Sequence, residues 1–190
     1  EMWAYIDTQG TLFSSGGTWQ NYANYSIQSR GGNRWGLTTW GGDPGFTTDN
    51  PQKVWKHYAI TYDGAAVTIY QNGIQKDRIT PPINTTLTAD FRIGGWHENA
   101  GDFYGKLSHL RIWDKALDAV SIQAWMNREV TSAHPDYTAF RAAYDLNEGN
   151  GGFVAGNTRF NHPPGEFQRN FWWHTVKGSD LYYNAQPVQW

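Results

Sequence analysis

The stretch that decides the fold is KVWKHYAITYDGAAVTIYQNG, residues 53–73. It holds two runs in which apolar and polar side chains alternate, and the Asp-Gly pair at 63–64 separates them. The Asn-Gly pair at 72–73 then leads into a third run, 74–79. Asp-Gly and Asn-Gly between alternating runs are the strongest short-range signals of tight β-turns. The stretch therefore predicts two consecutive β-hairpins.

Short segments of the same kind continue on both sides of these hairpins. In chain order they lie at 2–6, 11–14, 25–29, 34–40, 90–93 and 104–113. One segment differs, because Asp118 is a residue type that caps helices and apolar residues recur at helical spacing from Val120 to Met126. The sequence predicts one helix over 118–127 in a chain that otherwise consists of strands.

The composition agrees with this interpretation. The 190 residues include 11 Trp, 11 Tyr, 9 Phe and 21 Gly. Aromatic side chains favour strands and glycine favours tight turns, so many short strands are expected. A formal net charge of −2 without a basic run excludes nucleic acid as the main partner. No apolar run approaches the roughly 20 residues of a membrane-spanning helix, and without cysteine the chain forms no disulfide.

Three spaced motifs resemble one family. They are residues 53–73, the segment FRIGG at 91–95 and the segment FYGKLSHLRIWDKAL at 103–117. In this order they are similar to the core of laminin-G-like and pentraxin-like domains, which are concanavalin A-like lectin/glucanase domains. The resemblance covers about residues 1–127. It implies an all-β fold, a two-sheet antiparallel jelly-roll β-sandwich with one short helix.

The apolar strand positions predict the interior of this sandwich. The side chains expected to be mostly buried are Trp55, Ile60, Ile69, Leu107, Leu110, Ile112 and Trp113.

The tail carries a further motif. Residues 140–151, FRAAYDLNEGNG, resemble the segment that usually opens such a domain, yet here they follow the helix. Two arrangements stay open: residues 140–190 close a single domain, 1–190, in permuted order, or they begin the following repeat. We favour the first, because about 50 residues make a poor isolated fragment. Either arrangement predicts a module tethered to other domains of a larger secreted or cell-surface protein.

The catalytic carboxylates of related glucanases have no counterpart in this sequence. Enzymes of the laminarinase type share the general fold and carry Glu-x-Asp-x-x-Glu or Glu-x-Asp-x-Glu on one strand, which places two carboxylates about 5–5.5 Å apart. No such run occurs here. The chain also has no cysteine nucleophile, no serine elbow and no His-x-x-x-His pair, and His57 and His109 fall within predicted strands. The sequence therefore predicts that the domain is not an enzyme.

The loop before the third motif contains oxygen ligands of the kind that calcium prefers. Glu98, Asn99 and Asp102 lie within it, and Asp49 could approach from another loop. In pentraxin-like relatives the corresponding loop carries calcium ligands, so the resemblance implies a calcium site here. Calcium needs about six to eight oxygens, and these residues can equally be loop residues that bond to their own backbone. Both interpretations stay open.

Aromatic residues in or beside glycine-rich loops are candidates for sugar binding. Such rings stack on the apolar faces of sugars while neighbouring polar groups bond the hydroxyls. The candidates are Trp35, Trp40, Trp96 and Tyr104, with Asp43, His97 and Asn99 as polar neighbours. The alternative is that the tryptophans fill the ends of the sandwich.

These observations predict a non-catalytic carbohydrate-binding or adhesion module. Its partner would be a glycan or a cell-surface glycoconjugate, and calcium is its candidate cofactor. Two alternatives remain: a structural or protein-binding spacer domain, and an ancillary domain of a glycoside hydrolase.

Overall fold

The structure, a computed structural model, describes residues 1–15, 25–39, 43–49, 52–83, 91–95 and 103–146, together with four two-residue strands further along the chain. The strands up to residue 146 are β1 (Met2–Ile6), β2 (Gly10–Ser15), β3 (Tyr25–Ser29), β4 (Arg34–Thr39), β5 (Gly45–Thr47), β6 (Trp55–Tyr62), β7 (Val67–Gln71), β8 (Ile74–Ile79), β9 (Phe91–Ile93), β10 (Gly105–Ser108), β11 (Leu110–Trp113) and β12 (Phe140–Tyr144). An α-helix, α1 (Ala119–Trp125), and a turn of 3-10 helix (Tyr137–Ala139) lie between β11 and β12. The later strands are β13 (Phe153–Val154), β14 (Gly165–Glu166), β15 (Tyr182–Tyr183) and β16 (Gln186–Pro187).

Ten of these strands form two antiparallel sheets of five strands each. The first sheet has the order β10-β1-β6-β7-β8 and the second has the order β5-β4-β3-β2-β9. One cluster of buried side chains joins their inner faces, with Ile6 and Ile69 from the first sheet and Leu12 and Leu37 from the second. The predicted all-β fold is confirmed, and α1 is the only α-helix in the part of the chain that the structure describes.

The two hairpins predicted from residues 53–73 are present as β6–β7 and β7–β8. In the first turn, the Asp63 carboxylate accepts hydrogen bonds from the backbone N–H groups of residues 65 and 66, at 2.9 and 2.7 Å. In the second turn, Asn72 and Gly73 have φ angles of 53° and 76°, which a type I′ turn requires. Local turn chemistry therefore sets both hairpins.

Most of the predicted interior positions contribute to the core, to different degrees. Trp55, Ile69 and Leu110 are buried, whereas Ile60, Leu107, Ile112 and Trp113 are half-buried. Ile60 and Leu107 pack against the cluster between the sheets. Trp113 packs against a second cluster, which lies beneath the helix.

The strand predicted over 104–113 is divided in two, which corrects that prediction. His109 has a φ angle of 51°, a left-handed conformation that extended strands do not contain. Before it, β10 pairs with β1 in the first sheet, and after it, β11 pairs with β12. The chain thus leaves the first sheet at His109.

Helix α1 occupies the predicted segment but is shorter at both ends than 118–127. Asp118 is its N-cap, and the carboxylate accepts a hydrogen bond from the backbone N–H of Ser121 at 2.7 Å. Ile122 is fully buried, whereas Val120 is 76% exposed and faces away from the sheet. With seven residues, this helix is too short to cross a membrane.

Residues 140–144 of the tail form β12, which pairs antiparallel with β11 and brings Leu110 opposite Tyr144. Further along, β13 pairs with β14 and β15 pairs with β16. The choice between a permuted closing segment and a following repeat for residues 140–190 stays a prediction, as does a single domain over 1–190.

Candidate functional site

The outer face of the first sheet is covered by helix α1. A buried apolar cluster lies between them, formed by Ala59, Tyr70, Leu117 and Ile122. Trp3, on the outer face of β1, donates a hydrogen bond from Nε1 to the carbonyl oxygen of Met126 at 3.1 Å. This face is therefore not available to a ligand where the helix lies.

A charged cluster is buried under the same cover. The Glu1 carboxylate lies 3.4 Å from Nε2 of His57 and 3.5 Å from Nη1 of Arg111. It also accepts a hydrogen bond from Nε1 of Trp113 at 3.1 Å. Trp125 is the last residue of α1, and its carbonyl oxygen accepts a hydrogen bond from Nη1 of Arg111 at 3.0 Å. The cluster fastens the helix to the sheet, so its role is structural.

Burial changes the pKa values of the groups in and near this cluster. Burial raises the pKa of Glu1, but the hydrogen bond to His57 and the surrounding positive charges, Arg111 included, bring that pKa below its usual value. Burial lowers the pKa of His57, although Glu1 acts in the opposite direction. Burial, assisted by the charge of Arg111, lowers the pKa of His109 to about 3. Both histidines are therefore neutral at pH 7.

The outer face of the second sheet carries small and polar side chains. In β4, Trp35 and Leu37 are buried in the core, so the alternate residues Arg34, Gly36 and Thr38 lie on the outer face. Exposure on this face increases toward β5. Ser14 and Ser26 are buried, Gln28 and Thr38 are half-buried, and Arg34, Gly45 and Thr47 are exposed.

A groove of about 290 Å³ opens at the β5 end of this face. Its lining consists of Arg30, Arg34, Trp35, Gly45, Phe46 and Thr47. Gly36 of β4 pairs with Gly45 of β5, so neither strand has a side chain on the sheet surface at this point. A Cβ at Gly36 would overlap the guanidinium of Arg30, which lies across that residue. The groove therefore exists because two glycines face each other and the guanidinium of Arg30 packs over one of them, Gly36.

The two arginines of the groove differ in their partners. Arg30 forms an ion pair with Asp43 and donates a hydrogen bond to Oγ1 of Thr38 at 3.3 Å. Thr38 in turn donates to Asp43 at 2.9 Å, so three side chains hold one another in place. Arg34 is exposed, and its guanidinium has no side-chain partner in the described part of the chain.

Tyr104 presents the most exposed aromatic ring among the described residues, at 60%. Its backbone is held on both sides, because its N–H donates to the carbonyl of Gln9 (3.3 Å) and its carbonyl accepts from the N–H of Asp7 (2.9 Å). Gln9 immediately precedes β2, whose first residue pairs with Ser29 next to Arg30. Tyr104 and the two arginines therefore lie at the same end of the second sheet, on the order of 10–15 Å apart by strand spacing.

The structure places Trp35 in the core. Its side chain is 1% exposed, its Nε1 donates to Oγ1 of Thr48 at 2.9 Å, and its ring packs on Tyr58 with centroids 4.7 Å apart. Trp35 is among the residues that line the groove, but because it is buried its ring offers no face to a sugar. The alternation of β4 explains this correction, because Trp35 falls on the same side of the strand as Leu37.

Asp49 does not fit a calcium site. Its carboxylate accepts a hydrogen bond from Nζ of Lys76 at 2.7 Å, which lowers its pKa, and its backbone N–H and carbonyl both bond to the side chain of Gln71. A calcium ion would have to displace an ammonium group, and Lys56 adds a second positive charge nearby. Over the residues that the structure describes, no three His, Cys, Asp or Glu side chains are placed to hold a metal ion. Asp49 instead ties the segment after β5 to β7 and β8.

The other predicted ligands fall outside the described residues. They are Trp40, Trp96, His97, Glu98, Asn99 and Asp102. The structure does describe the residues that flank their segments. Residues 40–42 follow Thr39, which pairs with Tyr25. Residues 96–102 come between Gly95 and Phe103, and the N–H of Phe103 donates to the carbonyl oxygen of Gly94 at 3.0 Å.

Sequence reasoning missed both arginines of the groove. Arg34, Gly36 and Thr38 alternate with apolar residues, which does indicate that they share one face. The pairing of Gly36 with Gly45 and the reach of Arg30 across to Asp43 depend on strand order and register, for which the sequence carries no local signal.

Comparison with known families gives a match over most of the described sandwich. The family model of the concanavalin A-like lectin/glucanases superfamily matches residues 1–123. No curated protein matches the sequence of this chain.

Solved structures share the fold at low sequence identity. A candidate carbohydrate-binding protein from Bacteroides ovatus aligns over 88% of this chain with 17% identity and a TM-score of 0.62. This chain covers 53% of that protein, about half its length. A heptameric pentraxin from Limulus polyphemus aligns over 88% of this chain and 81% of its own, with 15% identity and a TM-score of 0.51. At these identities the similarity concerns the fold.

Proposed function

Because this chain belongs to the concanavalin A-like lectin/glucanases superfamily, we propose that it is a non-catalytic carbohydrate-binding module. The observation that carries the proposal is the open end of the second sheet, where the exposed Tyr104 and the groove beside Gly45 both lie. An exposed aromatic ring and a groove that contains two arginines suit a sugar, whose faces are apolar and whose edges carry hydroxyls.

Two further observations support this function. The protein from Bacteroides ovatus that shares the fold is itself a candidate carbohydrate-binding protein. This chain spans about half of that protein, which agrees with a module tethered to other domains of a larger secreted or cell-surface protein. Its partner would then be a glycan or a cell-surface glycoconjugate.

The binding surface in this proposal has a defined centre. Tyr104 stacks on one sugar ring, because its backbone is fixed at Gln9 and Asp7 while its ring faces solvent. Asp43 contributes indirectly by holding Arg30. Trp40, Trp96, His97 and Asn99 are the other candidate ligands predicted from the sequence.

The carboxylates near the groove argue against glycoside hydrolysis. That chemistry uses two carboxylates on opposite sides of the scissile bond, one as acid and the other as nucleophile or base. Asp43 is paired with Arg30, and Asp77, at the edge of β5, accepts hydrogen bonds from the N–H (2.9 Å) and hydroxyl (3.3 Å) of Thr47. Each is engaged in holding the sheet, which favours binding over catalysis.

Calcium remains part of the proposal only through Glu98, Asn99 and Asp102. A bound ion stabilises the folded state by mass action, so excess calcium should raise the unfolding midpoint and a chelator should reverse the rise. Asp102→Asn should abolish the shift, whereas Asp49→Asn should retain it. An unchanged midpoint, with no metal in elemental analysis, would remove calcium from the function.

The proposed function is tested on a glycan array, followed by calorimetric titration of the best ligand. Tyr104→Ala should weaken binding by several-fold or more, because a stacked ring is commonly worth about 1 kcal/mol. Val120→Ala is the matched control, since Val120 is also exposed but lies on α1, over the other sheet. Binding to no glycan, with or without calcium, would favour the spacer domain instead.

A further inference from the structure

Building on the proposed function, we infer that the groove beside Gly45 binds the acidic group of a charged sugar, a carboxylate or a sulfate ester, through Arg34. The ligand class is thus an acidic oligosaccharide whose neighbouring sugars extend toward Tyr104. Three features of the groove support this inference: the unpaired state of Arg34 among the described residues, the shape of the groove and the fixed position of Arg30.

Of the two arginines that line the groove, only Arg34 lacks an ion pair within the part of the chain that the structure describes. Arg30 is neutralised by its ion pair with Asp43. Arg34 has no side-chain partner among the described residues. The carboxylate of Asp77 lies beyond Thr47, where it is held at the edge of β5 by the N–H and hydroxyl of that residue. An anion entering the groove would therefore meet a guanidinium that is not paired with any described side chain.

The shape of the groove suits one acidic group and not a whole oligosaccharide. Its volume of about 290 Å³ is near the lower limit for ligand pockets. Because Gly45 has no side chain, an anion can approach the strand between Arg34 and Arg30. A guanidinium presents parallel N–H donors that match the two oxygens of a carboxylate or sulfate, so Arg34 can bind such a group with two hydrogen bonds.

The second arginine is positioned before the ligand arrives. Arg30 lies across Gly36 and is held by Asp43 and Thr38, so little side-chain freedom remains to be lost when it contacts an anion. Pre-positioned donors of this kind add affinity, because their ordering has already taken place during folding. The side chain opposite Arg34 in the register is the hydroxyl of Thr47, which adds no charge.

The experiment compares ligands that share a sugar ring and differ only in the acidic group. Galacto-oligosaccharides, oligogalacturonates and sulfated galacto-oligosaccharides, matched in length and all with the same α-1,4 linkage, are titrated into the intact chain by calorimetry. We expect the acidic ligands to bind about tenfold or more tightly than the neutral one, as charge-assisted hydrogen bonds commonly allow. Preference for the uronate or for the sulfate identifies which acidic group the groove takes, and both results support the inference.

Three variants locate the effect. Arg34→Gln should remove most of the preference for acidic ligands and should leave the unfolding midpoint unchanged, since Arg34 is exposed. Gly45→Val should have the same effect with all charges retained, because its side chain would fill the groove, and the Cβ itself makes only ordinary contact with the backbone of Trp35 (3.4 Å). The control is Arg141→Gln, which removes one positive charge from β12, where Arg141 forms an exposed ion pair with Asp114. This variant should retain the preference for acidic ligands.

The outcomes separate this inference from the function on which it rests. Equal affinity for acidic and neutral ligands, or an acidic preference that survives in both Arg34→Gln and Gly45→Val, overturns the inference and leaves carbohydrate binding in place. Failure to bind any ligand of the three series or of the glycan array overturns both. Loss of the preference in Arg141→Gln as well would show a general effect of net charge and would also overturn the inference.

Discussion

Nη1 of Arg111 lies 3.0 Å from the carbonyl oxygen of Trp125, so strand β11 closes the C-terminal end of helix α1. Arg111 is buried together with Glu1, and removing one partner of a buried ion pair commonly costs about 3–5 kcal/mol. Arg111→Gln should therefore lower the free energy of unfolding by about that amount in urea denaturation. Arg78→Gln, which breaks an exposed pair with Asp63, should cost less than about 1 kcal/mol. Equal losses in the two variants would contradict a structural role for the buried cluster.

Gly105 is required by its contact with β1. A Cβ at this position would overlap the carbonyl oxygen of Tyr5, and because that atom belongs to the backbone of a central strand it cannot move aside. Gly105→Ala should lower the free energy of unfolding by about 1–3 kcal/mol. Gly45→Ala is the control, since its Cβ would make only ordinary contact, and it should be nearly neutral. Thermal unfolding of both variants measures the difference, and a midpoint for Gly105→Ala that matches the parent would show that β10 is wrongly positioned.

Acid should destabilise the domain before most carboxylates are protonated. The pKa of His109 is about 3 in the folded chain, and that of His57 is also lowered by burial, whereas an unfolded histidine titrates near about 6.5. Below pH 6.5 the unfolded chain therefore binds protons that the folded chain does not. The stability from these groups is complete above pH 6.5 and is lost as the pH falls, down to about pH 3 for His109.

Urea denaturation between pH 7.5 and pH 4 measures this loss. His109→Asn is the informative variant, because asparagine tolerates the left-handed backbone at this position and does not titrate. Its stability should depend less steeply on pH over that range than the stability of the parent. Parallel curves for parent and variant would mean that His109 does not control the acid response.

Substitution should lower the free energy of unfolding at Trp35 but hardly change it at Tyr104. Trp35→Phe leaves the hydroxyl of Thr48 without its indole donor and reduces the volume of a side chain that is 1% exposed, so the free energy of unfolding should fall by about 1–3 kcal/mol. Tyr104→Ala should change stability by less than about 0.5 kcal/mol, because its ring is 60% exposed. Urea denaturation of both variants tests this contrast. A stable Trp35→Phe that lost glycan binding would return Trp35 to the ligand surface.

The elements that the sequence determined by itself are those whose cause lies within a few residues. Asp63 bonds to N–H groups two and three residues further on, and Asn72 with Gly73 supplies the two positive φ angles of the next turn. Asp118 caps the helix through the N–H of Ser121. Such contacts join neighbouring residues, so the hairpins and the helix could be predicted from local chemistry, whereas the two-sheet sandwich was implied by the family resemblance.

Tertiary structure alone decided which residues meet at the site. The groove requires Gly36 to face Gly45, and Arg30 to reach Asp43 across the outer face. Strand pairing sets both, and a shift of one residue in register would turn every side chain to the other face of the sheet. Alternation along β4 puts Trp35 on the same face as Leu37, and the packing of the two sheets buries that face. Side-chain type was visible in the sequence, but the partner of each side chain is fixed only when the sheets form, because pairing joins residues that are distant in the chain.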